Sequence, residues 1–308
     1  MKKNITNIIN TFIVDKELSK RYTNNMETQE IDLMITENQI NIDLEGKETE
    51  EEESTLIPQS LLKPINHNYI REEVLFVCVK SYNDDIVRDM PSLMLCGKKM
   101  IDWVLLAGNG CKEMTIEAKD NVLDKVRNIN TDRQTIAIFY SDTPLLDRAS
   151  FYRIIDNFYS RGINYLELSR GFIVKTEFLK NNTEFVQGIS DKIEEEHLLR
   201  ADSAKAISKI EKTIRNKINE YHMKNGVIIF GEDTVSIDCD VEIEKGAIIY
   251  PNNIIKGNSI IEEDVILNSG NIITNSIIEA NSKLTKCYIE NSKVGGDKKC
   301  ETIIDEEK

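Results

Sequence analysis

The chain has 308 residues, of which 40% are hydrophobic and 30% charged, and its formal net charge is −14. This length allows two domains with hydrophobic cores. A protein this acidic repels phosphate backbones, so we do not expect it to bind nucleic acid. Small anionic ligands are not excluded if local donors or a metal ion offset the charge. The six cysteines form no CxxC pair and have no histidine nearby, which disfavours a zinc site and indicates free thiols in a reducing compartment.

Residues 1–55 are predicted to be an acidic, weakly structured segment. They are rich in Asn, Thr and Glu and end in "KETEEEES", a run that repels itself and cannot be buried. We interpret it as a solvated linker, with a partner-binding acidic tail as the alternative. Its one apolar run, "NIINTFIV", is too short and too polar for a signal sequence or a membrane span. We therefore expect a cytoplasmic protein that does not bind membranes.

Residues 56–201 are predicted to form an α/β domain. The apolar runs "VLFVCV" and "QTIAIFY" are typical of buried strands, and "GFIVKTEFL" indicates a third strand with its following turn. The segment "GKKMIDWVLLAG" places Met100, Val104 and Ala107 on one helical face. The segment "LLDRASFYRIIDNFYSRG" predicts a second helix that stops at Gly162. This alternation of strands and helices predicts a mainly parallel sheet.

Residues 202–226 are predicted to form a long linker helix. Its apolar face repeats at three- and four-residue spacing and consists of Ile207, Ile210, Ile214 and Ile218. Asp202 and Ser203 are suitable caps at its start. A helix of about 22 residues is roughly 33 Å long, a length suited to a strut between two domains.

Residues 227–296 carry a repeat with a period of six. Its aliphatic positions are Ile237, Ile243, Ile249, Ile255, Ile261, Leu267 and Ile273. A period of six fits neither a helix nor a hairpin, but it fits a left-handed parallel β-helix in which each flat wall takes one hexapeptide. The repeat slips by one residue after Ile273. We expect about three coils of roughly eighteen residues, followed by a polar tail over 297–308.

The run "RNKINEYHMKNGVIIFGEDTVSIDCDVEIEKGAIIYP" and the hexapeptides after it resemble the GlmU family of bifunctional N-acetylglucosamine-1-phosphate uridyltransferases and glucosamine-1-phosphate acetyltransferases. The resemblance is specific from Arg200 to Gly295. It is weaker over 74–190, where it depends on "GKKMIDWVL", "YSDTPLL" and "RGFIVKTEFL". It implies a Rossmann-like nucleotidyltransferase domain joined by a long helix to a left-handed β-helix. Because three such β-helices pack side by side in the family, it also implies a homotrimer.

Asp142 in "FYSDTPLL" follows a predicted strand, where an aspartate is either a turn residue or a metal ligand. Asp202 on its own is a natural helix cap. In the GlmU family the Asp of the DxPL motif binds the catalytic magnesium, and this position falls on Asp142. The second family ligand, an Asn, falls on Asp202. The resemblance thus implies an Mg²⁺ site, and two carboxylates suit a hard cation that would neutralise nucleotide and sugar phosphates.

The segment that matches the family's glycine-rich phosphate loop departs from it. It reads "CVKSYNDDIVRDMPSLMLCGKKM", with no glycine before Gly97 and two adjacent acids that would repel a triphosphate. Lys80 and Arg88 are the best remaining phosphate contacts, although Lys80 also reads as an ordinary surface lysine. Ser169 stands where the family has a sugar-binding Asn. The resemblance therefore assigns Lys80, Arg88 and Ser169 as candidate substrate-binding residues and leaves the catalytic residues unassigned.

The acetyltransferase activity of the family is predicted to be absent. The family places its acetyl-CoA site and catalytic histidine in later coils, and the three histidines of this chain all precede the hexapeptide repeat.

Two functions remain open. The first is a non-catalytic protein that binds a nucleotide sugar of the UDP-N-acetylglucosamine type, or a scaffold, in cell-envelope precursor metabolism. The second is an active Mg²⁺-dependent sugar-1-phosphate nucleotidyltransferase with a rebuilt phosphate loop. The segment from Lys80 to Ser92 distinguishes them, because an acidic loop without glycine favours the first.

Overall fold

The computed structural model describes residues 68–83, 86, 89–117, 122–182, 189–190 and 193–305. The predicted acidic segment over 1–55 and the candidate phosphate contact Arg88 lie outside these residues. Within the described part of the chain, no helix is long and apolar enough to cross a membrane.

The first domain is built around a six-stranded sheet with the strand order β4-β1-β5-β7-β6-β8. Its elements in chain order are α1 (Asn68–Glu73), β1 (Val74–Lys80), β2 (Met94–Leu95), β3 (Lys98–Lys99), α2 (Met100–Gly108), β4 (Lys112–Glu117), α3 (Val122–Arg127), β5 (Thr135–Tyr140), α4 (Arg148–Ser160), β6 (Tyr165–Leu168), β7 (Gly171–Lys175), α5 (Thr176–Asn181) and β8 (Ile189–Ser190). Strands β4, β1 and β5 are parallel. The sheet is nevertheless mixed, because β7 runs antiparallel to both β5 and β6.

The structure confirms the three predicted strands and the two predicted helices, whereas the turn predicted after the third strand is the short helix α5. β1 is buried over six of its seven residues, as the run "VLFVCV" predicts. Phe76 on β1 packs against Phe139 on β5, with ring centroids 5.4 Å apart, and against Phe151 on α4 at 5.2 Å. Asp147 caps α4 by accepting a hydrogen bond from the Ser150 N–H at 2.9 Å. These contacts hold the carboxyl ends of β1 and β5 in a fixed arrangement.

The long helix α6 spans Ala204–Lys224 and is capped by Ser203, whose hydroxyl accepts a hydrogen bond from the Ala206 N–H at 3.2 Å. It was predicted to be a strut, but it is also part of a shared core. Its buried isoleucines pack in one cluster with Trp103 of the first domain and Val235 of the first coil. This continuous cluster fixes the first domain against the C-terminal domain.

The C-terminal domain is a left-handed parallel β-helix with three walls, as predicted. Its strands are β9 (Ile228–Ile229), β10 (Ser236–Ile237), β11 (Glu242–Ile243), β12 (Ile248–Ile249), β13 (Ile254–Lys256), β14 (Ile260–Ile261), β15 (Ile266–Leu267), β16 (Ile272–Thr274), β17 (Ile277–Ile278), β18 (Lys283–Thr285), β19 (Tyr288–Glu290), β20 (Lys293–Val294), β21 (Asp297–Lys299) and β22 (Thr302–Ile304). The walls have the strand orders β9-β12-β15-β18-β21, β10-β13-β16-β19-β22 and β11-β14-β17-β20. The aliphatic positions of the repeat face inward and are buried.

The β-helix is longer than the sequence predicts. Four complete coils are followed by β21 and β22, which pair with β18 and β19 and lie in the segment 297–308 that was predicted to be a polar tail. Along one wall, the sequence separation between paired residues of neighbouring coils falls from 18 for Ile248 and Ile266 to 14 for Lys283 and Asp297. A fixed period of six misses the last coils because their corners are shorter.

Small polar residues form ladders inside two corners of the β-helix. The Asn271 side-chain amide donates to Asn253 Oδ1 at 2.9 Å. The Ser276 N–H donates to Ser259 Oγ at 3.2 Å, and the Ser292 N–H donates to Ser276 Oγ at 3.1 Å. These bonds satisfy backbone and side-chain groups that the corners bury.

The hairpin of β2 and β3 also joins the two domains. Lys98 Nζ lies 2.7 Å from Asp240 Oδ1, and both side chains are largely buried. The Cys239 N–H donates to the Cys96 carbonyl at 3.0 Å. The first domain is therefore anchored to the first coil by an ion pair and a backbone hydrogen bond.

Candidate functional site

The candidate site lies where two neighbouring parallel strands end. Ser81 follows β1 directly, and Asp142 comes two residues after the end of β5. The Ser81 N–H donates to Ser141 Oγ at 2.8 Å, which ties the two strand ends together. In α/β sheets ligands bind outside the carboxyl ends of the strands, so this is the expected place for a ligand.

The Asp142 carboxylate is almost completely buried, with 4% of its side chain exposed, and it accepts hydrogen bonds on both oxygens. Arg170 donates from Nε to Oδ1 at 3.1 Å and from Nη2 to Oδ2 at 2.8 Å. Arg200 donates from Nε to Oδ2 at 3.0 Å, and the Ser81 hydroxyl donates to the same oxygen at 3.0 Å. We call Asp142, Arg170, Arg200 and Ser81 the arginine–aspartate cluster.

Arg170 is positioned by the tight turn between β6 and β7, in which Leu168 pairs with Gly171. Gly171 has φ +120°, and a Cβ there would lie 2.3 Å from the Ile138 carbonyl oxygen. Only glycine therefore lets β7 approach β5 this closely. The guanidinium of Arg170 stacks on the Tyr140 ring at 3.7 Å from its centroid, which holds it over the end of β5.

Arg200 reaches the cluster because the chain before α6 docks on the end of β5. The buried Ala201 donates its N–H to the Asp142 carbonyl at 2.8 Å. The neighbouring side chain of Arg200 then lies against the carboxylate while remaining 48% exposed. The long helix thus contributes to the site through residues that precede it.

The cluster does not fit a divalent cation as it is arranged. Mg²⁺ needs oxygen ligands and open positions for water, whereas the Asp142 carboxylate is occupied by two guanidinium groups that would repel a cation. The side chain of Asp202 is exposed and forms no hydrogen bond or ion pair with any described residue. In the described ranges there is also no group of three or more His, Cys, Asp or Glu that could hold a metal ion. Metal binding by Asp142 and Asp202 stays a prediction that this arrangement does not support.

The other predicted site residues have different surroundings. Lys80 forms an ion pair with Glu117 on β4 at 2.8 Å, and the hydrogen bond in this pair raises the pKa of Lys80. Ser169 is exposed in the turn beside Arg170, and its side chain forms no hydrogen bond with a described residue. The structure therefore places Ser169 next to the cluster and pairs Lys80 with a carboxylate.

Sequence reasoning missed Ser81, Arg170 and Arg200. All three lie beside residues that were singled out, since Ser81 follows Lys80, Arg170 follows Ser169 and Arg200 comes two residues before Asp202. A search for basic residues beside the candidate metal ligands and substrate contacts would have found both arginines. It would not have shown that they bond to Asp142.

The Cys78 thiol, on the strand beside this charge, is buried and therefore disfavoured as a nucleophile. Burial, with a smaller contribution from the Asp142 charge, raises the pKa of Cys78 to about 12, so the thiol stays protonated at neutral pH. The arrangement of the cluster is suited to binding negative charge rather than to nucleophilic chemistry.

The chain is similar to several curated proteins over part of its length, whereas no protein-family model matches it. It is 31% identical to the bifunctional protein GlmU of Clostridium tetani over 178 residues, which are 57% of this chain and 36% of the relative. It is 38% identical to GlmU of Clostridium botulinum (strain Loch Maree / Type A3) over 119 residues, 39% of this chain and 26% of the relative. The matches thus span about a quarter to a third of these relatives. The predicted resemblance to GlmU is confirmed over the matched part.

Solved structures resemble about half of this chain, and only loosely. A cytidylyltransferase from Leptospira borgpetersenii is 13% identical with a TM-score of 0.34, over 50% of this chain and 94% of that one. A CMP:2-keto-3-deoxy-manno-octonic acid synthetase in complex with CTP is 9% identical with a TM-score of 0.36, over 47% and 99%. A manganese complex from Mycobacterium tuberculosis H37Rv has a TM-score of 0.33 at 9% identity, over 46% and 99%. Similarity this low identifies no ligand for the present chain.

Proposed function

We propose that this GlmU-like chain is a non-catalytic protein that binds a nucleotide sugar of the UDP-N-acetylglucosamine type and acts as a sensor or scaffold in cell-envelope precursor metabolism. The observation that carries the proposal is that the Asp142 carboxylate is already bonded to basic side chains. In the GlmU family the matching aspartate binds the catalytic magnesium, whereas here its carboxylate is bonded to Arg170 and Arg200.

The proposal is supported by what nucleotidyl transfer requires. The attack of one phosphate on another needs positive charge and backbone donors that stabilise the charge of the transition state. The segment from Lys80 to Ser92 has no glycine and carries two adjacent acids, and Lys80 is paired with Glu117. The active Mg²⁺-dependent nucleotidyltransferase is the alternative, and the same experiment tests it.

A homotrimer formed through the β-helix is part of the proposal. The β-helix carries exposed large apolar side chains, which are Ile228, Phe230, Tyr250, Ile272, Tyr288 and Ile304. Phe230 and Tyr250 stack on one wall with ring centroids 5.2 Å apart. Exposed apolar surface of this kind is stabilised when another copy covers it. A cytoplasmic location and the absence of acetyl transfer also stay predictions.

The experiment that tests the proposal combines calorimetry with a turnover assay. UTP and UDP-N-acetylglucosamine are titrated into the full chain with Mg²⁺ and with EDTA, and pyrophosphate release is followed in the presence of UTP, N-acetylglucosamine-1-phosphate and Mg²⁺. We expect UDP-N-acetylglucosamine to bind and pyrophosphate release to stay at the rate without protein. Turnover that needs Mg²⁺ and is lost in Asp142→Asn would instead establish the enzyme. No binding of either ligand would exclude both functions for uridine nucleotides.

A further inference from the structure

We infer that Arg170 and Arg200 form a metal-independent site for the phosphate groups of a nucleoside diphosphate, with Asp142 as the buried counter-charge that positions both. This inference rests on the proposed function and goes further, because it names the ligand group and removes the need for a cation.

The two arginines retain donors that point to a further ligand. Arg170 uses Nε and Nη2 on Asp142, and its Nη1 bonds to no described residue. Arg200 uses only Nε on Asp142, so neither of its terminal nitrogens has a partner among the described residues. The guanidinium fork matches phosphate oxygens in geometry. The side chain of Arg170 is 22% exposed and that of Arg200 is 48% exposed, so both are partly accessible to a ligand.

The charge of the cluster favours an anion over a cation. Two guanidinium groups share one carboxylate, which leaves a net positive charge at a site within a chain whose formal net charge is −14. A diphosphate would be attracted by the excess charge and stabilised by charge-assisted hydrogen bonds. The same positive charge would repel a divalent cation. The cluster therefore supplies the positive charge that a bound metal ion would otherwise provide.

Both arginines are held before any ligand arrives. Arg170 is fixed by its stacking on Tyr140 and by the turn that Gly171 permits. Arg200 is fixed by the backbone bond from Ala201 to Asp142. Ser81 adds a second restraint, because its hydroxyl oxygen accepts from Arg170 Nη2 at 2.7 Å. Side chains already ordered in this way lose less conformational entropy when they bind.

The test is a calorimetric titration of the full chain in EDTA, with UDP and with inorganic pyrophosphate as probes. The site variants are Arg170→Gln and Arg200→Gln. The matched control for Arg200→Gln is Arg153→Gln, because Arg153 is 53% exposed against 48% for Arg200 and is also paired with a carboxylate, that of Glu194 at 2.6 Å. We expect the wild type to bind UDP in EDTA, each site variant to bind at least tenfold more weakly, and the control to stay within about twofold.

The outcomes separate this inference from the proposed function. If UDP binding disappears in EDTA, the site needs a metal ion and the inference is wrong. If UDP binds in EDTA with the same affinity to both site variants, the arginines do not bind it and the inference is also wrong. In either case nucleotide binding by the protein would still stand. No binding of UDP, pyrophosphate or UDP-N-acetylglucosamine in any condition would overturn both. Thermal unfolding shows whether each variant is folded, and Arg200→Gln carries the test alone if Arg170→Gln does not fold.

Discussion

Arg170 and Asp142 form a bidentate ion pair, with Nε 3.1 Å from Oδ1 and Nη2 2.8 Å from Oδ2. Asp142 lies at the end of a parallel strand, and Arg170 lies in the turn before an antiparallel one. The pair thus joins the parallel strand β5 to the antiparallel strand β7 at the carboxyl end of β5. An acid that family resemblance assigns to a metal is here part of a salt bridge.

This pair is expected to stabilise the fold as well as the site. Replacing Asp142 by Asn removes the charge that both guanidinium groups contact, and we expect a loss of about 2 kcal/mol in the free energy of unfolding, since the acid is buried while Arg170 is partly exposed. Urea unfolding of Asp142→Asn, Arg170→Gln and the double variant measures the coupling. A coupling energy near zero would contradict the prediction.

Gly171 is expected to be irreplaceable by alanine. A Cβ at this position would lie 2.3 Å from the Ile138 carbonyl oxygen, and φ is +120°. We expect Gly171→Ala to lower the free energy of unfolding by more than about 2 kcal/mol and to weaken UDP binding by moving Arg170. Gly162→Ala is the control, because Gly162 has φ +62° but a Cβ added there would have no described atom within 4 Å. Equal losses in the two variants, measured by urea unfolding, would show that the close approach to Ile138 is unimportant.

His222 is expected to make the protein less stable in mild acid. Its ring is buried, neither nitrogen has a hydrogen-bond partner among the described residues, and burial lowers its pKa from 6.5 to about 4. As the pH falls below 6.5, His222 becomes protonated in the unfolded chain. In the folded protein it stays neutral until the pH reaches about 4. The stability contributed by neutral His222 is therefore lost as the pH falls through this window, at up to about 1.4 kcal/mol per pH unit.

The measurement is urea unfolding of the wild type and of His222→Leu between pH 7.5 and pH 4.5, a range of about three pH units around the ordinary histidine pKa. Titration of carboxylates changes the stability of both proteins with pH. The quantity compared is therefore the difference between their free energies of unfolding at each pH. We expect His222→Leu to gain stability relative to the wild type as the pH falls. Parallel curves would mean that His222 takes up its proton in the folded state.

The predicted trimer can be tested without removing the β-helix. Deleting the coils would expose the isoleucine face of α6, which packs against them. The double substitution Phe230→Glu and Tyr250→Glu instead places charge on the stacked pair at the surface. We expect a trimer in the wild type and a monomer in this variant, as measured by light scattering. Met94→Glu, at an apolar residue that is 56% exposed on the β2–β3 hairpin, should remain trimeric. A monomeric wild type would exclude the proposed assembly.

Much of the fold follows from local periodicity. The isoleucines of α6 repeat with the helical period, and the inward positions of the β-helix repeat every six residues, so both elements were predicted from the chain alone. The prediction of about three coils was too short, because the last corners lose residues while the inward positions, such as Leu284 and Ile289, are kept. A pattern of fixed period does not detect a coil whose length changes.

The amino-acid sequence by itself determined the architecture: an α/β domain, a long helix and a β-helix, since each depends on which faces of regular elements are apolar. Only the tertiary structure decided what surrounds Asp142. Arg170 lies 28 residues and Arg200 58 residues beyond Asp142, and each reaches it through a turn or a docked backbone rather than through a repeating pattern. Contacts at such separations leave no periodic trace in the chain, because they depend on how whole elements pack.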